Sequence, residues 1–135
     1  MKKVLVMLAA AFLCFGAMAA EPAKVEPQNQ NSKVMKPGYD YSIVKDETVN
    51  GVRYITAKPS EIVCSKAIDI QVKGEIIQSV IYTGGCNGNA KGIGALIEGM
   101  TVDDAIKRLD GITCGRRPTS CPDQLAKVLK TAFKK

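Results

Sequence analysis

The chemistry open to this chain rests on its five cysteines, because it contains no histidine. Without an imidazole, a Ser/His/Asp triad, a Cys/His dyad, a His-ligated zinc and a His general base are all excluded, leaving thiols, carboxylates and amines. Cys14 lies in an apolar N-terminal run, whereas Cys64, Cys86, Cys114 and Cys121 are separated by 21, 27 and 6 residues and form no CxxC pair. Spacing alone makes this a weak zinc signature, since ribbon-type sites present their ligands in tight pairs. Position says more. Cys64 precedes a predicted strand, Cys86 lies at a glycine-flanked strand-to-helix turn, Cys114 in a glycine-bracketed loop and Cys121 in the first turn of the last helix. All four therefore sit at element ends, where side chains can converge, and a helix N-terminus favours the thiolate at Cys121 and Cys86. Three readings are open: a four-thiolate site for zinc, less readily for iron; two disulfides, with three connectivities; or a redox-active pair such as Cys114 with Cys121.

The redox setting of these thiols depends on the N-terminus. Lys2 and Lys3 precede an unbroken apolar run from Val4 to Phe15, followed by the small-x-small pattern Ala17-Met18-Ala19. This predicts a bacterial-type export signal over 1–19, cut after Ala19, and a periplasmic or secreted protein. The run is shorter than the ~20 residues a membrane span needs, so no span is expected once the signal is removed. Leu13 and Phe12 stand where a lipobox before Cys14 would need small residues. Export also argues against nucleic acid as a partner, and a formal charge of +6, part of it in the leader, is a mild one.

Downstream, residues 20–38 are rich in Pro, Gln and Asn with little to bury, as expected of a flexible linker. Residues 39–53 carry Asn50-Gly51 between two β-prone stretches and predict a loose hairpin extension. The compact domain is expected over 54–135. Ile68, Ile70 and Val72 alternate along one strand, Gly74 marks a turn, and Glu75 to Thr83 forms a second strand. After Cys86 the spacing of Ile93, Leu96, Ile97 and Met100 becomes helical. Thr101 caps a second helix with Asp104 three residues on and Gly111 beyond its end; Ser120 caps the last, with Pro122 in its first turn and a stripe of Leu125, Val128, Leu129, Ala132 and Phe133. Strands followed by helices predict an α+β fold, a small antiparallel sheet with helices packed on one face.

The segments Thr119-Ser120-Cys121-Pro122-Asp123, Gly84-Gly85-Cys86-Asn87-Gly88-Asn89 and Gly99-Met100 resemble the TSCPD domain family. That family occurs as small standalone proteins and resembles the C-terminal domain of cobalamin-dependent ribonucleotide reductases. The resemblance implies a metal site formed by Cys64, Cys86, Cys114 and Cys121, with zinc as the ion and iron or an iron-sulfur group as less favoured alternatives. A fainter similarity reaches the iron-sulfur cluster scaffold proteins, where Cys64, Cys86 and Cys121 occupy corresponding places, implying a scaffold-like fold. Lys66 stands where the scaffold pattern has Asp, and Ser120 where it has His.

Size limits what the reductase resemblance implies, because 135 residues leave no room for a catalytic barrel or a nucleotide site. An accessory domain with an unidentified protein partner is the expectation, not an enzyme by itself. The glycines from Gly84 to Gly94 match neither GxxxxGK[ST] nor GxGxxG, and read as turn and close-packing positions. Arg116, Arg117, Lys127 and Lys130 read as a solvated basic end that also complements the last helix. The exported chain is thus expected to be a metal-binding module with a structural or partner-docking role. A disulfide-stapled interaction domain is the alternative, and a thiol-redox or reductase-type accessory domain a further one.

Overall fold

A computed structural model describes residues 40–135. The signal expected over 1–19 and the linker over 20–38 lie outside the described residues. Four strands come first, β1 (Ser42–Val49), β2 (Val52–Lys58), β3 (Ser65–Lys73) and β4 (Ile76–Gly84), then three helices, α1 (Asn87–Ile97), α2 (Val102–Leu109) and α3 (Cys121–Phe133). The strands form one antiparallel meander in the order β1-β2-β3-β4. The α+β expectation is met.

Turn chemistry sets the register. Asn50 and Gly51 both take positive φ, at 51° and 77°, as a two-residue type I′ hairpin requires, and Val49 pairs with Val52 across it. The second hairpin places Gly74, φ 61°, first in its two-residue loop, and Lys73 pairs with Ile76. With these registers fixed, Ile55, Ile70 and Val80 fall in one row on one face. Ala57 and Ile68 are neighbours on the same face, and all five join a single buried core with Ile97, Val102, Ala105, Leu125, Val128 and Leu129 from the helices. The first hairpin is integral to this sheet, since β2 pairs with β3 from Val52 to Ala57, so a boundary at residue 54 falls inside a strand. Arg53 also reaches α3, its guanidinium 4.7 Å over the Phe133 ring while a bidentate contact at 2.7 and 2.6 Å holds it to Asp46.

Both predicted caps form. Thr101 accepts from the Asp104 amide at 3.1 Å, and Ser120 accepts from the Asp123 amide at 3.3 Å. The link between α1 and α2 closes over the start of edge strand β4: Ile77 N–H donates to Met100, and Gly99 and Val102 donate back to Ile77 and Glu75, at 2.8 to 2.9 Å. One expectation is corrected. Leu96, expected in the apolar stripe of α1, is 73% exposed. The helix meets the sheet through Gly94 instead, where a Cβ would stand 2.6 Å from the Val80 carbonyl oxygen, and this close approach rotates Leu96 to solvent. Among the described residues no helix is long and apolar enough to cross a membrane.

Gly94 and Gly92 lie on one helix in opposite settings, and alanine separates them. Gly94→Ala is expected to cost about 1–3 kcal/mol by forcing α1 off β4. Gly92→Ala, where a Cβ meets nothing within 4 Å, is expected to gain about 0.5–1 kcal/mol from helix propensity. Urea melts of the two variants check this, and a neutral Gly94→Ala would refute the close-approach argument.

Candidate functional site

The cysteines are placed by the ends of β3, β4 and α3. Ser65, the first residue of β3, pairs with Gly84, the last of β4, so Cys64 and Gly85-Cys86 continue side by side past the sheet. Gly84 and Gly85 have φ of 79° and 81°, and a side chain at Gly85 would stand 3.3 Å from the Cys64 carbonyl carbon and the Ser65 nitrogen. Glycine is therefore required here on two counts, backbone conformation and space. Cys86 then serves as the N-cap of α1, its carbonyl accepting from Ala90 at 2.9 Å.

Cys121 opens α3 and is fixed by the polar residues around it. The Ser65 hydroxyl donates to Cys121 Sγ at 3.1 Å, and the half-buried Tyr82 hydroxyl donates to the Cys121 carbonyl at 3.4 Å. Burial, and secondarily the charge of Cys121, raise Tyr82 well above its ordinary value, so it remains a donor. Below Cys121 lies a buried network. Thr119 Oγ1 donates to Asp123 and accepts from Gln124 Nε2 at 2.9 Å. Gln124 Oε1 accepts from the Ser60 amide at 3.0 Å, Asp123 Oδ1 from the Gly111 amide at 2.8 Å, and Asp123 Oδ2 from Lys127 at 2.6 Å. The Ser120 hydroxyl donates to the Ile112 carbonyl at 2.7 Å. Thr119, Ser120, Asp123 and Gln124 are all buried. The motif around Cys121 is thus a clamp that ties α3 to the loop before it and to the segment leading into Cys64.

Cys114 arrives from that loop. It pairs with Arg117 in an isolated bridge, and the Arg117 amide donates to the Cys114 carbonyl at 3.0 Å. Gly115 between them has φ 58°, suiting the first central position of a type II′ turn. Arg117 Nη1 donates to Cys64 Sγ at 3.1 Å. That hydrogen bond, then the charges of Cys64 and Cys114 and lastly that of Cys121, raise Arg117 above its ordinary value against the effect of desolvation. Arg117 therefore meets Cys64 through its side chain and Cys114 through its backbone, with Cys86 at the adjoining strand end.

All four are free thiols, Cys121 half-buried and the others exposed. Among the described residues no group of three or more Cys, Asp or Glu side chains stands close enough to hold a metal ion as placed. By donor chemistry the four sulfurs suit zinc; by placement they are gathered at one end of the fold without being closed into a ligand shell. Arg117 was legible only as surface charge, although Cys-Gly-x-Arg carries the turn signal that brings it back to Cys114. Asp123 was legible as a first-turn acid, and its i,i+4 spacing to Lys127 was the available sign of its ion pair.

Burial alone would raise the Asp123 carboxyl, but hydrogen bonds from Lys127, Thr119 and Gly111 outweigh it and hold the group below its ordinary value. Its contribution to stability is then complete above the unfolded value, about pH 4, and is lost as pH falls through the lower folded value. Asp123→Asn is expected to destabilise the domain by about 1–3 kcal/mol at neutral pH and to flatten the acid limb of the stability curve. Denaturant melts at a series of pH values test both, and an unchanged acid limb would remove Asp123 from this role.

Comparison with known proteins returned one family. No curated protein and no solved structure matches the chain. The TSCPD domain model matches residues 38–133, a span that begins before β1, ends with α3 and takes in all four cysteines as well as the buried clamp. Covering most of the sequence, that match shows that the chain belongs to the TSCPD domain family.

Proposed function

We propose that this protein is an exported module whose Cys64, Cys86, Cys114 and Cys121 hold a zinc-type ion, with a structural or partner-docking role. The observation that carries the reading is that paired strand ends set Cys64 beside Cys86 while the Cys121 sulfur is hydrogen-bonded to Ser65, the residue after Cys64, with all four sulfurs free. Free thiols at element ends supply the donor set that zinc prefers, and on this reading metal binding draws them together from the arrangement described. A bound ion would crosslink the start of β3, the end of β4, the Cys114 turn and the start of α3. Iron is the less favoured ion for the same donors.

A second reading is supported by the export-type N-terminus, because an oxidising compartment favours two disulfides in a small domain with an even number of cysteines. The two readings differ in mass. Native and denaturing mass spectrometry of protein taken from its own compartment is expected to show one metal-sized increment lost on denaturation, with four free thiols. A chain lighter by four hydrogens with no free thiol would replace the metal reading by the disulfide one. Where the metal is found, a Cys121→Ser change is expected to abolish retention and forfeit about 3–4 kcal/mol of metal-linked stability at ion concentrations some hundreds of times the dissociation constant.

A further inference from the structure

We infer that the cysteine end of the fold is a docking surface for an acidic segment of a partner protein, which Lys66, Lys91, Arg116 and Arg117 attract. This rests on the docking half of the reading above and not on the metal half. Three segments build that end: 62–68 around Cys64, 83–97 from the end of β4 through α1, and 111–122 between α2 and α3. The contacts of Ser65 with Gly84, of Ser65 with Cys121 and of Arg117 with Cys64 join them. Together they carry four cations and no carboxylate. All four cations are exposed; Lys66, Lys91 and Arg116 make no ion pair with any described residue, and Arg117 meets a sulfur. The carboxylates bordering these segments are engaged elsewhere, Glu61 with Lys58, Asp69 with Thr56, Asp110 with Lys130 and Asp123 with Lys127. Glu98 lies past the far end of α1. The basic residues legible in the sequence thus divide in the fold: Lys127 and Lys130 are paired at 2.6 Å, whereas Arg116 and Arg117 have no carboxylate.

Charge decides what can sit there. α1 has no acidic residue in its first turn, so its N-terminal dipole adds to the positive potential of this end. The sign holds in either state proposed for the sulfurs, since disulfides carry no charge and a zinc ion on four thiolates carries about −2 against four cations. An anionic surface is therefore drawn to this end. Side-chain type favours protein over other polyanions. None of the three segments contains an aromatic side chain, so bases find nothing to stack on and a bilayer finds no interfacial anchor. A peptide finds contact instead. Gly88, Gly92 and Leu96 are spaced four apart and share one face of α1. There a Cβ at either glycine would meet nothing within 4 Å, and Leu96 is 73% exposed. Lys91 borders that face, so one segment can present a carboxylate to the cation and an apolar side chain to the helix.

The test uses protein purified from its own compartment, neither reduced nor chelated, and a short fluorescein-labelled peptide rich in glutamate and containing leucine, with fluorescence anisotropy as the readout. Wild-type protein is expected to bind it, less tightly as salt is raised to about 0.15 M. Lys66→Gln combined with Arg116→Gln is expected to weaken binding about 3–30-fold. Lys73→Gln combined with Lys134→Gln removes the same charge from exposed positions at the far ends of β3 and α3, and is expected to bind as the wild type does. Arg117 is retained throughout because it also holds Cys64. An equal loss in both double variants would reduce the effect to net charge and overturn the inference. So would wild-type protein that leaves the peptide free, or that binds phosphatidylglycerol vesicles or a single-stranded oligonucleotide more tightly. The mass measurement decides the metal separately, so either reading can fail without the other.

Discussion

The buried carboxylate of Asp123 is the point through which the core and the cysteine end are joined. A charged group taken out of water is tolerated only where its lone pairs are filled, and Asp123 meets that demand with donors from three places: the Gly111 amide, the Thr119 hydroxyl and the Lys127 ammonium. Each donor fixes something else. Gly111 anchors the start of the loop carrying Cys114, Thr119 its end, and Lys127 the second turn of α3. Gln124, one residue on, extends the same clamp to the Ser60 amide four positions before Cys64. The sulfurs thus take their positions from neighbours that the core holds still.

The chemistry of that end follows from what the composition omits. With no histidine present, a ligand set can be made only of sulfur and carboxylate, and the buried carboxylate nearest to Cys121 is already committed to the clamp. Thiols remain. Three of the four are exposed, at the ends of elements whose inner faces carry the buried Ile68, Val80 and Leu125.

Legibility in the sequence tracks the range of the interactions involved. The Asn50-Gly51 hairpin, the alternation of Ile68, Ile70 and Val72 and the caps at Thr101 and Ser120 are decided within a few residues, and all of them formed. Leu96 was misplaced because a periodic stripe cannot report that Gly94, two residues before it and on the opposite side of the helix, comes close to the sheet. The hairpin boundary was hidden for a related reason: β1 is an edge strand with polar and charged positions, and its place in the sheet is fixed by pairing to β2 and by the contact of Arg53 with Phe133, 80 residues away in sequence. At the site, the cysteines could be recognised by type and by their place at element ends. Arg117 and the clamp could not, because the contact of Arg117 with Cys64 spans 53 residues and that of Gln124 with Ser60 spans 64.

Those long spans also indicate where a crosslink at the cysteines would act. The chain between α2 and α3 contains no helix or strand, and it is held at its two ends by Asp123 and Ser120 and near its middle by the Cys114 turn. Such a segment, with exposed backbone and few apolar residues to bury, opens at lower free energy than the sheet and helices it connects. Hydrophobic burial cannot correct this, since Ile112, the large apolar side chain in the segment, is 41% exposed. A link from Cys114 to Cys64, Cys86 or Cys121 would close that segment onto the strand ends and restrict it in the unfolded chain as well, where bringing together residues this distant in sequence carries a loop-closure cost that grows only slowly with length. In a small domain whose core is already complete, the end bearing the thiols is therefore the place where one added bond, to a metal or between sulfurs, stabilises most.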